Sequence, residues 1–170
     1  VKKIRWAHGS EEILTNHGTR FQVKAGGSAA RGASPKTIHL DELREMTDLE
    51  SFASLRYSLM AAENPMIISY TNAGDASSVV LNSFRERAMA SIGGVEDDIA
   101  YFEWSAPTDD IHLESNWLAS NPAIGHKINI DNIKAVLNDP PDVVQTEVLC
   151  RWVQTINSCV DSASWNACAD

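Results

Sequence analysis

Two stretches, Lys36–Glu42 (KTIHLDE) and Asn64–Gly74 (NPMIISYTNAG), decide the fold class of this sequence. Thr37 to Leu40 is β-prone and leads into adjacent carboxylates, Asp41 and Glu42. Pro65 introduces Met66 to Ser69, an almost wholly apolar run that reads as a strand buried on both faces. Between them, Thr47 and Glu50 stand at capping-box spacing before a helix with Phe52, Leu55 and Leu59 on one face. Strand, helix, strand in this order predicts a parallel α/β sheet.

Upstream, residues 11 to 25 hold two β-prone runs split by Asn16, His17 and Gly18, which predicts a hairpin. Residues 26 to 34 (GGSAARGAS) read as a small flexible loop. Downstream, the periodicity predicts a helix over about Ser77 to Ile92, with Leu81, Phe84, Ala88 and Ile92 along one stripe and Gly93 and Gly94 as its stop. Residues 99 to 104 (IAYFEW) are aromatic and β-prone. From Ser105 the character changes. Short helices are expected at His112 to Ser120, Ile130 to Leu137 and Asp142 to Val153, separated by Asn121-Pro122 and Pro140-Pro141. Residues 1–75 thus read as the sheet part and 76–155 as a mostly helical subdomain. The Ser/Asn/Ala-rich remainder, 156–170, reads as a linker.

The bulk properties bound the function. At 170 residues, 44% hydrophobic and 22% charged, the chain is an ordinary globular domain with a real core. A formal charge of −9 argues against an autonomous grip on nucleic acid, so any DNA contact is expected to be local, or supplied by sequence absent here. No apolar run approaches the ~20 residues that span a bilayer, and the N-terminus lacks a signal-peptide core. The three cysteines, Cys150, Cys159 and Cys168, form no Cys-x-x-Cys pair and are read as reduced thiols. The sequence begins at Val1 rather than Met and is read as a fragment.

An acidic pair at a strand's carboxyl end has a chemical use in nucleoside triphosphatases: one acid holds Mg²⁺, the other polarises the attacking water. Asp41 and Glu42 suit those two roles. The same pair also fits a strand that ends in solvated acids and caps the next helix. Arg31, flanked by Ala30 and Gly32, is either a solvated loop residue or an arginine finger offered to a neighbouring subunit's nucleotide. Thr71 and Asn72 end the second strand as either a phosphate sensor or a simple turn. A P-loop, Gly-x-x-x-x-Gly-Lys followed by Ser or Thr, is not present in these residues; GGSAARGAS lacks the lysine. These residues are therefore half of a nucleotide site.

The ordered series GTRFQVKA, AARGAS, TIHLDELRE, NPMIISYTNAG, SVVLNSFRERAMA, IAYFEWSAP, WLASNPAIG, CRWV and SWNACAD resembles the later ATPase core and lid of the large terminase subunit of tailed bacteriophages. That resemblance covers nearly the whole chain. It implies a partial P-loop NTPase fold of the ASCE, RecA-like type, with a parallel sheet followed by a helical lid over 76–155. It further implies ATP and Mg²⁺ as cofactors and a motor in the bacterial host cytoplasm. There, hydrolysis drives viral double-stranded DNA into a procapsid and an attached nuclease cuts it. Implied partners are the portal protein, the small terminase subunit and further copies in a ring, with no membrane. On this resemblance Asp41 and Glu42 are the Walker B pair, Arg31 is the trans-acting arginine, and Ser69, Thr71 and Asn72 lie in the coupling motif. The P-loop is expected upstream of Val1, and 156–170 is expected to lead to a nuclease domain absent here. A helicase-type ATPase, or a catalytically silent lid module, are the alternative readings.

Overall fold

A computed structural model describes residues 1–9, 11–24, 34–153 and 168. It divides into two compact units, Val1–His39 with Asp48–Ile68, and Leu40–Thr47 with Ser69–Asp170. Arg31 and all but one residue of the expected linker 156–170 lie outside the described residues, as does Cys159.

In the first unit, β1 (Lys3–Arg5), β2 (Glu12–Leu14) and β3 (Arg20–Gln22) form an antiparallel sheet in that order. Ile13 pairs with Ile4 on one side and Phe21 on the other. The hairpin expected from Asn16-His17-Gly18 is β2–β3. Its turn closes where the Thr15 carbonyl accepts from the Gly18 amide (3.2 Å) and the Thr15 amide donates to the Thr19 carbonyl (2.9 Å), with Gly18 at φ 86°. β1 was not expected from the sequence. Across the sheet, Arg20 and Gln22 both donate to Glu12 Oε2, at 2.6 and 2.9 Å. These side-chain bonds hold the Glu12 carboxyl below its ordinary pKa.

β4 (Thr37–Asp41) and β5 (Met66–Tyr70) form a parallel two-stranded sheet, with Met66 N donating to Lys36 O at 3.1 Å. Their amino-terminal halves belong to the first unit and their carboxyl ends to the second. The connecting helix α1 (Leu49–Ser58) buries Phe52 and Leu55, and Leu59 follows as its buried C-cap. Its cap is Asp48 rather than the expected Thr47. The Asp48 carboxylate accepts from Glu50 N and Ser51 N, both at 2.9 Å, satisfying two of the amides that the first helical turn leaves unpaired. β5 is not the fully buried strand its composition suggests: Met66 is 54% and Tyr70 53% exposed. Burial on both faces needs a covering layer on each side of a central strand, and β5 lies in a sheet of two among the described residues.

In the second unit, α2 (Val79–Ile92) buries Val80, Leu81 and Ala88 and ends at Gly93 and Gly94, the latter at φ 100°. Ile92, expected on the apolar stripe, is exposed in the last turn. Residues 99–104 form no strand. Instead Tyr101 and Ser105 donate to the Glu103 carboxylate at 2.5 and 2.7 Å, and Phe102 stacks on Trp104 with centroids 6.4 Å apart.

Three short helices follow: α3 (Glu114–Ser120), α4 (Ile130–Val136) and α5 (Pro141–Glu147). α5 stops short of the expected Val153 because Cys150 adopts φ 49°, a left-handed backbone that cannot continue a right-handed helix. Ala106, Trp117, Ile133, Val144, Val148 and Leu149 form the core of this part. The WLASNP stretch supplies its polar fastening. Trp117 Nε1 donates to Ile111 O at 2.7 Å, and Ser120 Oγ and Asn121 Nδ2 both donate to Val148 O at 2.8 Å. Among the described residues no helix is long and apolar enough to cross a membrane.

Candidate functional site at the acidic strand end

The chain leaves β4 at Asp41 and turns sharply at Glu42, whose backbone is left-handed at φ 51°, ψ 53°. That conformation disfavours any residue with a Cβ, by about 1–2 kcal/mol, and unlike Asn or Gly a glutamate has no local compensation for it. Something must hold the turn. A single 3-10 turn, Leu43–Glu45, follows directly and buries Leu43, while Met46 O accepts from the backbone of Val80 at 3.4 Å. Strained backbone of this kind persists where surrounding contacts over-determine it.

Arg44 provides most of those contacts. Its backbone N–H donates to Thr71 Oγ1 at 3.1 Å, joining the acidic turn to the residue just beyond β5. The Thr71 hydroxyl in turn donates to Asn72 O at 2.9 Å. The Arg44 side chain is only 14% exposed; its Nη2 lies 2.6 Å from Glu147 Oε1 and its Nη1 3.5 Å from Ala73 O. Its Nε lies 3.3 Å from both Glu42 Oε2 and Glu45 Oε1. Burial alone pulls the Arg44 pKa down, but the bond and charge of Glu147, with Glu42 and Glu45, more than offset it, leaving the guanidinium firmly charged.

Asn72 completes the ring by donating from Nδ2 to Glu147 Oε2 at 2.8 Å. Its Oδ1 stands 3.9 Å from Cys150 Sγ. Burial pushes the Cys150 thiol above its ordinary pKa, which outweighs the opposing bond from Ala73 and keeps it a neutral thiol rather than a nucleophile. Beside this ring Gly74 allows a close approach. A Cβ there would strike the Ser78 hydroxyl, lie 2.6 Å from Ser78 Cβ and meet the Trp152 ring at 3.3 Å.

The structure therefore brings Asp41, Glu42, Thr71 and Asn72 together at the carboxyl ends of two parallel strands, with Ser69 exposed on β5. Asp41 is exposed, and no side chain among the described residues pairs with it. Mg²⁺ usually takes one or two carboxylates and fills its shell with water and phosphate oxygens. Asp41 could supply one such carboxylate; among the described residues no three His, Cys, Asp or Glu side chains cluster. Glu42, half-exposed beside it, is placed to accept a hydrogen bond from water.

Arg44 and Glu147 were not among the residues picked from the sequence. Arg44 carried a faint signal, being the first basic residue after the acidic pair, whereas nothing in the sequence couples it to a glutamate at the end of α5. An open groove of about 520 Å³, lined by Leu118, Ile124, His126 and Ile130 among others, includes none of the strand-end residues.

With this geometry in hand, comparison with solved structures gives one informative likeness. The crystal structure of the HK97 bacteriophage large terminase superposes on 94% of this chain with a TM-score of 0.68 at 19% sequence identity. The chain has the fold of that terminase. It spans 36% of the terminase's length. No protein-family model and no curated protein matches the sequence. The mixed α/β architecture of this chain, a parallel strand pair followed by short helices, is the part of that fold the two share.

Proposed function

We propose that this chain forms part of a DNA-packaging motor of the large-terminase type. In it Asp41 binds Mg²⁺ and Glu42 orients and polarises the water that attacks the γ-phosphate of ATP. The observation that carries the reading is an acidic strand end, Asp41-Glu42, hydrogen-bonded through its turn to the end of the neighbouring parallel strand, within a terminase-like fold. Ligands of α/β sheets bind outside the carboxyl ends of the strands, which is where these residues converge. Bound Mg²⁺ would neutralise charge on the phosphates. Glu42, held in its strained turn, would orient the water. Thr71 and Asn72, with Ser69 on the same strand, would register whether the γ-phosphate is present. Arg31 would serve a neighbouring subunit's nucleotide.

The intact protein would then act in the cytoplasm of a bacterial host as a ring on viral double-stranded DNA, with the portal protein and small terminase subunit as partners and a nuclease to cut the DNA. With a net charge of −9 this chain would contact DNA only locally, or the contact would come from sequence outside it.

Glu42→Gln in the intact protein tests the site. A general base is worth about 100-fold or more in rate, so the substitution is expected to abolish all but a percent or so of Mg²⁺-dependent ATP hydrolysis. A rate within a few-fold of wild type would refute the assignment. Mixing Arg31→Ala with Glu42→Gln subunits should restore part of the activity if Arg31 acts between subunits.

A further inference from the structure

Resting on that reading of the acidic strand end, we propose that Arg44 is a shared restraint on Glu42 and that Glu147 at the end of α5 decides how tightly Arg44 holds it. The chemistry lies in how the five donors of one guanidinium are divided. Glu147 takes Nη2 at 2.6 Å, the Ala73 carbonyl takes Nη1 at 3.5 Å, and Nε faces Glu42 and Glu45 at 3.3 Å each. The Nε–H is buried, yet it makes a directed hydrogen bond to neither carboxylate. It sits between them.

A guanidinium is planar and rigid, so the position of Nε follows from where the two Nη atoms are anchored. While Glu147 holds one edge of the fork, Glu42 is attracted but not captured, and its carboxylate remains half-exposed. If Glu147 withdraws, Arg44 loses its shortest partner. The best remaining partner is Glu42, which can then accept a bidentate pair of bonds of the strong charge-assisted kind. A carboxylate so engaged has one lone pair on each oxygen taken up by Arg44 and its plane fixed by the fork. Only its outer lone pairs then remain for a water, and they point away from the position they would otherwise reach.

Glu147 is itself held by Asn72, at 2.8 Å, and Asn72 neighbours Thr71, which accepts from the Arg44 backbone. A change at the end of β5 that turned Asn72 would therefore reach Glu42 through Glu147 and Arg44. Arg44 and Glu147 act here as positioning residues, not as groups that touch substrate. The same contacts would also serve a merely structural brace, so the test must separate the two.

Steady-state ATP hydrolysis by the intact protein is measured for wild type, Glu42→Gln, Glu147→Gln and the double variant Glu147→Gln/Arg44→Gln, with thermal melting of each followed alongside. Glu147→Gln is expected to lower kcat about tenfold with KM for ATP within twofold of wild type. The double variant is expected to return kcat to within about threefold, because without the guanidinium nothing captures Glu42. A structural brace predicts the opposite order, the double variant being no better than the single. Glu147→Asp, which keeps the charge but shortens the reach, should give an intermediate loss and replaces Glu147→Gln if that variant melts early. If wild type is active and Glu42→Gln is dead, but Glu147→Gln is unaffected or the double variant is not rescued, this inference is overturned and the site assignment stands. If wild type hydrolyses no ATP, the site assignment itself falls and this inference falls with it.

Discussion

Asn116 is 1% exposed, and its amide nitrogen donates to Thr108 O at 3.2 Å, Thr108 Oγ1 at 2.7 Å and Asp110 O at 2.9 Å. One side chain thus satisfies two carbonyls of the loop that leads into α3, next to the core residue Trp117. In Asn116→Ala both carbonyls lose their donor inside a nearly dry site. At about 1–3 kcal/mol for each unmet buried group, the loss sums to about 2–6 kcal/mol where water does not enter. Asn116→Asp keeps the volume but reverses the chemistry, presenting a charged acceptor to oxygens that themselves need donors. Its cost at neutral pH should exceed that of alanine. The acid form can donate one bond, so the folded state raises the pKa of the introduced carboxyl above its unfolded value near ~3.9. The sign then follows: the aspartate variant is least damaged below about pH 4 and loses stability as pH rises through the raised folded value. Urea denaturation at pH 7 and at pH 4, read by tryptophan fluorescence, measures both effects, with Trp117 as the buried reporter. An aspartate variant no less stable than the alanine variant at pH 7, or equally unstable at both pH values, would show that Asn116 is not a buried donor.

Gly74→Ala should cost about 1–3 kcal/mol from overpacking, since its new methyl would lie 2.6 Å from Ser78 Cβ. Adding Ser78→Gly should recover most of that loss in the same denaturation assay, and simple additivity of the two changes would rule the clash out. Tyr101 should ionise late, because burial first and the Glu103 carboxylate second push its pKa up to about 12. The stability it lends is complete below about pH 10 and is lost as pH rises through about 12. Phenolate absorbance in Glu103→Gln should show this step moved to lower pH, and an unmoved step would disconnect Tyr101 from Glu103.

The secondary structure that the sequence revealed is the part encoded by local chemistry. The Gly93-Gly94 stop of α2 and the hairpin turn around Gly18 each depend on glycines that relax the backbone, and such signals can be read within a few residues. The errors came where tertiary context overrode a local pattern. Thr47 and Glu50 have the spacing of a capping box, yet the neighbouring Asp48 offers a carboxylate to two amides at once and takes the position. IAYFEW is rich in strand formers, but Glu103 draws in the Tyr101 and Ser105 hydroxyls instead. At the candidate site, Asp41, Glu42, Thr71 and Asn72 were legible because acids and small polar residues at strand ends are conspicuous beside apolar runs. Arg44 and Glu147 were not, since an ion pair between residues so far apart in sequence leaves no periodic trace.

That hidden pair alters what the acidic strand end means physically. A glutamate in a left-handed turn, half-exposed, would ordinarily relax toward an unstrained backbone. Here the turn is fixed from three directions at once: Leu43 is buried beneath it, the Arg44 amide is bonded to Thr71, and the Arg44 guanidinium is anchored on Glu147. Removing any single tie leaves two, so the strain is shared and the turn should survive each single substitution with its geometry altered rather than lost. Thr71→Val is the cleanest case, because it deletes one acceptor while nearly preserving shape. It should weaken the turn by about 1 kcal/mol, the net worth of one such bond. Amide exchange at Arg44 should then accelerate about fivefold while exchange at Val80, bonded to Met46 O, stays unchanged. Equal acceleration at both amides would mean that the turn and α2 open as one unit and that Thr71 has no separate hold on Glu42.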